Sequence, residues 1–142
     1  MGQYHKLVNL DKQEVVDPHE IGLFSKQYEH TGVEGSLADA IYLLVMSSPA
    51  SGGGDWPLTD VSGRWCGDRV VVVGDYTQPD AIPNYRPDSG DSSTLYSDAD
   101  SWTDISPSVR EAFSKVFPIT YKFEERSVGN ESWVNVSRVS VE

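Results

Sequence analysis

Charged and aromatic side chains flank a run of four valines, Val70 to Val73, near the middle of the chain. Residues 63–76 read Gly-Arg-Trp-Cys-Gly-Asp-Arg-Val-Val-Val-Val-Gly-Asp-Tyr. Four successive β-branched residues favour a strand, and the flanking glycines favour tight turns at both of its ends. The polar side chains would then lie at the strand ends, where rigid scaffolds commonly hold functional groups. We therefore predict a candidate site at these ends.

Acid–base chemistry is the first activity that these residue types could support. Asp68, Asp75 and His19 could meet at the ends of adjacent strands. Arg–Asp pairs that only hold a turn would explain the same residues, so we also predict that Arg64 or Arg69 pairs with Asp68 or Asp75. The candidate pocket for a small molecule or nucleotide-related ligand consists of Tyr4, Lys6, His19, Arg64, Trp65, Asp68, Arg69, Asp75 and Tyr76. Enzymatic activity stays open, and no catalytic residue is assigned.

Two other patterns only partly match known ligand sites. Asp98, Asp100 and Asp104 suggest a calcium loop, but the sixth and twelfth positions hold Thr and Val in place of Gly and Glu. The three glycines at 52–54 are not followed by the Lys-Ser/Thr pair that a phosphate loop requires. The three histidines show no i, i+3 or i, i+4 spacing. We therefore predict no metal site and no cofactor.

The acidic segment, residues 75–104, carries seven Asp and one Arg, which is more than half of the net charge of −11. Four large aromatic residues, Tyr76, Tyr85, Tyr96 and Trp102, are interleaved with these carboxylates. Aromatic rings give contact area at low entropic cost, and carboxylates complement a basic surface. The residues predicted to bind a protein partner are Asp88, Asp91, Tyr96, Asp98, Asp100 and Trp102. A solvated acidic loop without a partner is the alternative interpretation.

Length and composition favour one globular domain over residues 1–142. The net negative charge repels phosphate backbones, so we expect no direct binding to nucleic acid. The longest apolar stretch, 40–46, is too short to span a bilayer, and no apolar signal region follows Met1. We therefore expect a cytoplasmic protein without membrane contact. Cys66 is the only cysteine, and we expect it to be a small buried or half-buried hydrophobe.

Three helices are predicted from capping signals and apolar spacing. The first opens at Asp17-Pro18 and extends to about residue 29. The second starts at Ser36, with Asp39 completing a capping box, and ends near residue 47. The third covers about residues 106–117, where Ser106-Pro107 repeats the cap-plus-proline pattern.

Strand patterns predict a mainly antiparallel sheet of five or six strands. The predicted strands cover residues 3–10, 15–16, 61–65, 69–73, 119–123 and 133–141. Because four consecutive valines leave no polar face, Val70 to Val73 should form a central strand buried on both sides. With two or three helices on one face of this sheet, the fold class is α+β, and the acidic segment is a long loop.

Two sequence blocks resemble those of a known family. The first comprises Met1-Gly-Gln-Tyr4, Lys6-Leu-Val-Asn-Leu-Asp-Lys12 and Pro18-His19, and the second comprises Gly63-Arg-Trp, Gly67-Asp-Arg-Val and Gly74-Asp-Tyr76. Over most of the chain, this pattern is similar to a family of small uncharacterised proteins of bacteria and their phages. The resemblance implies a bacterial or phage origin and transfers no catalytic residue.

Our functional hypothesis is a small acidic accessory protein that binds a basic surface of a host protein. Its concrete form is a phage-type inhibitor that mimics nucleic-acid charge and blocks a nucleic-acid-handling or defence complex. The alternative is a small-molecule or nucleotide-related binding protein or enzyme that uses the strand-end pocket. The alternative requires Arg64, Asp68, Arg69 and His19 to converge in one cleft, whereas the mimic requires exposed carboxylates on one convex face.

Overall fold

The computed structural model describes residues 3–24, 27–48, 52–83, 85 and 92–139. Within these residues, four strands form one sheet and two strands form a separate hairpin. The α+β class is confirmed, but the expectation of five or six strands in one sheet is wrong. The last two predicted strands pair only with each other, so they do not extend the larger sheet.

The larger sheet has the strand order β3–β1–β2–β4. Its strands are β1 (His5–Asn9), β2 (Glu14–Val16), β3 (Val70–Gly74) and β4 (Thr103–Asp104). β1 is antiparallel to both β2 and β3, whereas the short β4 is parallel to β2. β1 is therefore a central strand, with partners on both sides.

Each face of this sheet covers its own apolar cluster. On one face, Leu7 and Val16 pack with residues of α1 (Leu37–Val45) and α3 (Ser106–Val116). On the other face, Val8, Val15 and Val73 form a second cluster with Leu95 and Ala99. The two long helices therefore cover one face as predicted, and the acidic segment covers the other.

Local capping explains where α1 begins. The Ser36 hydroxyl accepts a hydrogen bond from the Asp39 N–H at 3.2 Å, and the Asp39 carboxylate accepts one from the Ser36 N–H at 3.2 Å. This reciprocal pair satisfies two N–H groups that a helix start leaves without partners. The prediction of this helix and of its capping box is confirmed.

The start of α3 uses serine differently from the prediction. Ile105 is the N-cap residue and has no capping side chain, and Ser106 is the first helical residue. The Ser106 hydroxyl instead accepts a hydrogen bond from the Asp17 N–H at 2.8 Å. The helix is confirmed over nearly its predicted length, but its predicted cap is a tertiary contact to the segment that follows β2.

The helix predicted from Pro18 to residue 29 is wrong in its extent. Two short 3-10 helices, Pro18–Ile21 and Gln27–His30, occupy this region. Gly22 follows the first of them with φ at +76°, a left-handed conformation that glycine adopts without strain. The cap at Asp17 is confirmed, because its carboxylate accepts a hydrogen bond from the His19 N–H at 3.0 Å.

The valine strand lies at the edge of its sheet, contrary to the prediction of a central strand. Among the strands that the structure describes, β3 pairs only with β1, and Val72 is 43% exposed. The strand predicted at 61–65 consists of turns. The Gly63 and Trp65 N–H groups donate instead to the Leu43 and Leu44 carbonyls at the end of α1.

The acidic segment forms turns over residues 75–83 and short regular elements over residues 92–104. It contains 3-10 helices at Ser92–Thr94 and Ala99–Ser101, the four-residue helix α2 (Leu95–Asp98), and β4. Leu95 and Ala99 lie one helical turn apart and are both buried against the sheet. No helix among the described ranges has the length and apolar character that crossing a bilayer requires.

The last two predicted strands form a hairpin, and both continue to its turn. β5 (Thr120–Val128) and β6 (Glu131–Val139) pair antiparallel across the two-residue turn Gly129-Asn130. All residues from 125 to 135 are exposed, so the outer half of the hairpin lies at the surface. We call residues 125–135 the hairpin arm.

Arg138 fixes the base of the hairpin to the body by hydrogen bonds. The Arg138 guanidinium donates from Nε and Nη2 to the Ile21 carbonyl at 3.1 and 2.9 Å. It also donates to the carbonyls of Glu34 and Gly35. Several carbonyl partners around one guanidinium hold the base of the arm in a single orientation.

Candidate functional site

Antiparallel pairing brings the predicted site residues to two opposite ends of the larger sheet. The start of β1 lies beside the ends of β2 and β3, and the end of β1 lies beside their starts. We call the first the acidic end, comprising Tyr4, Asp17, His19, Asp75, Tyr96 and Asp100. We call the second the paired end, comprising Asn9, Asp11, Lys12, Glu14, Arg64, Trp65, Asp68 and Arg69. A five-residue strand spans about 15 Å, so the two ends do not share one pocket.

Glu14 is the buried centre of the paired end. Its carboxylate accepts hydrogen bonds from Arg64 Nε at 3.0 Å and Nη2 at 2.5 Å, and from Trp65 Nε1 at 2.7 Å. Burial favours the neutral acid, but the hydrogen bonds from Arg64 and Trp65 outweigh it and lower the pKa of Glu14. The carboxylate is held by three donors, which is the arrangement of a structural ion pair.

Two more carboxylates complete the paired end from the β1–β2 turn and the start of β3. Asp68 accepts hydrogen bonds from Lys12 and from Asn9 Nδ2, the latter at 2.8 Å, and both lower its pKa. Asp11 accepts from the backbone N–H and from Nε of Arg69, at 2.7 and 2.9 Å, which lowers the pKa of Asp11. Three ion pairs therefore tie the segment 64–69 to the β1–β2 turn.

These contacts correct the predicted charge pairs. Arg64 pairs with Glu14 and Arg69 with Asp11, rather than with Asp68 or Asp75. Gly67 has φ at +82°, and the arginines on either side of this turn meet carboxylates of the β1–β2 turn and of the start of β2. Trp65 is fully buried against the sheet.

The acidic end gathers side chains from three strand termini. The Tyr4 N–H donates to Asp75 Oδ1 at 3.0 Å, and the Asp75 N–H donates to the Tyr4 carbonyl at 3.0 Å. The Tyr4 and His19 rings meet edge to face with centroids 6.2 Å apart. Nδ1 of His19 lies 3.7 Å from Asp17 Oδ1. Two carboxylates, a phenol and an imidazole therefore lie together at this end of the sheet.

Lys6 connects this edge to the acidic segment. Its ammonium is buried, lies 3.9 Å from the centroid of the Tyr96 ring, and donates to the Tyr96 carbonyl at 3.1 Å. Asp100 supplies the counter-charge at 2.5 Å while its own side chain stays 73% exposed. Asp100 thus serves both as the partner of a buried cation and as part of the surface.

Negative charge is concentrated around the Tyr96 phenol. Burial, together with the carboxylates of Asp17, Asp75 and Asp100 and with Tyr4, raises the pKa of Tyr96 to about 12. Burial, followed by the carboxylates of Asp104 and Asp17, also raises the pKa of neighbouring Glu20. These side chains therefore share one local field of excess negative charge.

The predicted partner-binding residues differ in their surroundings. Asp88 and Asp91 lie outside the described residues. Trp102 and Tyr96 are half-buried against the second apolar cluster, and Asp98 accepts a hydrogen bond from the Thr94 hydroxyl at 2.8 Å. Asp100 is the most exposed of those that the structure describes.

The candidate pocket is divided between the two ends of the sheet. Tyr4, Lys6, His19 and Asp75 lie at the acidic end, and the exposed Tyr76 directly follows Asp75. Its other members, Arg64, Trp65, Asp68 and Arg69, lie at the paired end. Cys66 is exposed, contrary to the expectation of a buried or half-buried thiol.

Sequence reasoning missed two residues that matter at these ends. Glu14 was not among the predicted site residues, although it stands at the start of β2 and is buried. Asp17 was read only as a helix cap, although it also belongs to the acidic end. The available signal was the pattern Glu14-Val15-Val16-Asp17, which places a charged residue at each end of a short apolar strand.

No group of three or more His, Cys, Asp or Glu side chains in the described part of the chain is placed to hold a metal ion. A cavity of about 410 Å³ lies elsewhere, between β3 and α1, and is lined by His5, Gln27, His30, Thr31, Leu37, Ala38, Ile41 and Val72. None of the predicted site residues lines this cavity.

Comparison with known proteins adds no family. The chain matches no family model, no curated protein and no solved structure. The geometry of the two sheet ends is therefore the structural basis for a functional proposal.

Proposed function

We propose that this protein is a small acidic accessory protein that binds a basic surface of another protein through the acidic end of its sheet. The single observation that carries the proposal is the clustering of Asp17, Asp75 and Asp100 around Tyr96. Three carboxylates there meet one buried ammonium, that of Lys6, so negative charge remains for a partner. Opposite charges on a partner would steer the encounter of the two surfaces.

Exposed aromatic rings beside the carboxylates support the same function. Tyr4 is 46% exposed and Tyr76 is 59% exposed, and both adjoin Asp75. Tyrosine rings supply rigid contact area, and their faces attract guanidinium and ammonium groups. Asp–Tyr surroundings of this kind fit arginine or lysine side chains better than phosphate, sugar or lipid.

The acidic end supports recognition better than the small-molecule alternative. That alternative needed Arg64, Asp68, Arg69 and His19 in one cleft, but the first three bond to the β1–β2 turn and its flanks at the far end of the sheet. The proposed target is a nucleic-acid-handling or defence complex of the host, which the protein would inhibit by charge mimicry. This choice of target is based on the sequence resemblance alone.

A basic peptide tests the proposal directly. Immobilised protein is exposed to a synthetic arginine-rich peptide over a series of salt concentrations, and association and dissociation rates are recorded. We expect the on-rate to fall as salt rises, because exposed charges are screened beyond about 8 Å at physiological ionic strength. The double variant Asp17→Asn with Asp75→Asn should lower the on-rate and leave the off-rate nearly unchanged. Asparagine keeps the oxygen that accepts from the His19 and Tyr4 N–H groups.

A matched control separates the site from the overall charge. Asp60→Asn with Glu111→Gln removes the same number of charges from exposed positions away from the acidic end. Equal slowing by both double variants would show that only net charge matters and would refute the assignment of the site. Failure of the wild-type protein to bind the peptide at low salt would refute the function.

A further inference from the structure

The hairpin arm presents two unpaired strand edges of very different chemistry. Among the described strands, β5 and β6 pair only with each other, so each has one edge with open N–H and C=O groups. A two-stranded hairpin is marginally stable by itself, and an open edge is a template for another strand. Here the arm also exposes large apolar side chains, among them Val128, Trp133 and Val134.

We propose that the β6 edge pairs antiparallel with the β6 edge of a second copy of this chain. The two hairpins would then form one continuous four-stranded sheet across a two-fold axis. Each strand pairs with itself in reverse, so the same surface serves both copies. The proposal concerns the hairpin and is independent of the acidic end of the larger sheet.

The charges of the two strands decide which edge is used. In β5, four of nine residues are charged: Lys122, Glu124, Glu125 and Arg126. Reverse self-pairing of β5 about Glu124 would oppose this carboxylate to its own copy and Lys122 to Arg126 of the copy. Like charges directly opposite each other destabilise a sheet, and charged side chains protect an edge from pairing.

The β6 strand lacks this protection. Its charged residues, Glu131 and Arg138, lie near its two ends. When β6 is paired in reverse about Asn135, Glu131 opposes Val139 of the copy and Arg138 opposes Ser132, so no like charges meet. Val134 opposes Val136, and the two Asn135 amides face each other, where each can donate and accept.

This register also covers apolar surface. Trp133 and Val139 are 48% and 45% exposed in the single chain. Because Trp133 lies opposite Ser137 of the copy, its diagonal neighbour on the same face is Val139 of the copy, within reach of an indole ring. The two-fold axis repeats this contact, so both copies of each residue lose exposure.

Mass measurement in solution tests the pairing. Sedimentation of the full chain over a dilution series should show a dimer that dissociates as concentration falls. Asn135→Lys should give a monomer at every concentration, because two ammonium groups would oppose each other at the axis. Ser127→Lys places the same charge at an exposed position of β5 and should leave the dimer intact. Both positions are exposed, so circular dichroism should show an unchanged fold.

A cysteine pair gives a second, geometric readout. In a Cys66→Ser background, Asn135→Cys should form an intermolecular disulfide under mild oxidation, since residues at such an axis have Cβ atoms about 5 Å apart. Ser127→Cys in the same background should not. A monomeric wild-type protein, an Asn135→Lys variant that stays dimeric, or equal crosslinking at both positions would overturn the proposal.

Discussion

The two ends of the larger sheet carry similar residue types in opposite electrostatic surroundings. At the paired end, Glu14, Asp68 and Asp11 each accept hydrogen bonds from a cation, and the pKa of each is lowered. At the acidic end, carboxylates crowd one phenol, and the pKa of Tyr96 is raised to about 12. Matched charges stabilise a fold, whereas excess charge of one sign remains available to a partner.

Neutralising one carboxylate at each end should separate these roles most clearly. Glu14→Gln removes the charge that Arg64 and Trp65 surround and should lower the free energy of unfolding by about 2 kcal/mol. Asp75→Asn at the acidic end keeps its acceptor oxygen and should change stability far less. Urea unfolding of the two variants measures both effects, and equal losses would contradict the contrast between the ends.

The two ends should also lose their contributions to the stability of the fold at opposite extremes of pH. A carboxyl group with a lowered pKa stabilises the fold above its ordinary pKa, and this contribution is lost as pH falls through the lowered value. The paired end should therefore dominate acid unfolding. Tyr96 has a raised pKa, so its contribution is present below pH 10 and is lost as pH rises toward 12.

Two variants test this pH dependence against each other. Glu14→Gln should flatten the acid side of the stability profile and leave the alkaline side unchanged. Tyr96→Phe should flatten the alkaline side alone. Thermal unfolding across the pH range gives both profiles, and a change on the wrong side for either variant would show that the assigned group is not responsible.

Asp100 sharpens the comparison because it belongs to both categories. It faces solvent, yet it is the counter-ion of the buried Lys6 ammonium. Asp100→Asn should cost about 1 kcal/mol, less than Glu14→Gln and more than Asp75→Asn. An unfolding curve identical to that of Asp75→Asn would show that the Asp100 carboxylate does not stabilise the buried ammonium.

Sequence patterns predicted the elements whose signals are local. The Ser36–Asp39 capping box and the apolar spacing after Ser106 gave two helices nearly to the residue. The strand patterns at residues 119–123 and 133–141 predicted both strands of the hairpin. These features depend on neighbours within a few residues, so a short window of sequence contains all of the information.

Non-local choices were not predictable from the same patterns. Four valines fit an edge strand and a central strand equally well. Among the described strands β3 has one partner, β1, and this places it at the edge. The partner of Glu14 is 50 residues away, and no local signal selects Arg64 over other cations. The spacing of Leu95 and Ala99 could have shown that the acidic segment folds, but surrounding aspartates and serines obscured it.

The central position of β1 has a consequence for how the chain folds. β1 leaves the ribosome before β3, whose paired residues follow 61 to 69 residues later. Until then the apolar side chains of Leu7 and Val8 stay uncovered on a nascent chain. The β5–β6 hairpin is local and closes in about 1–10 μs, whereas distant pairing of this kind takes milliseconds to seconds. Refolding should therefore produce a formed hairpin on an unfinished sheet, and chaperones should engage the first strand.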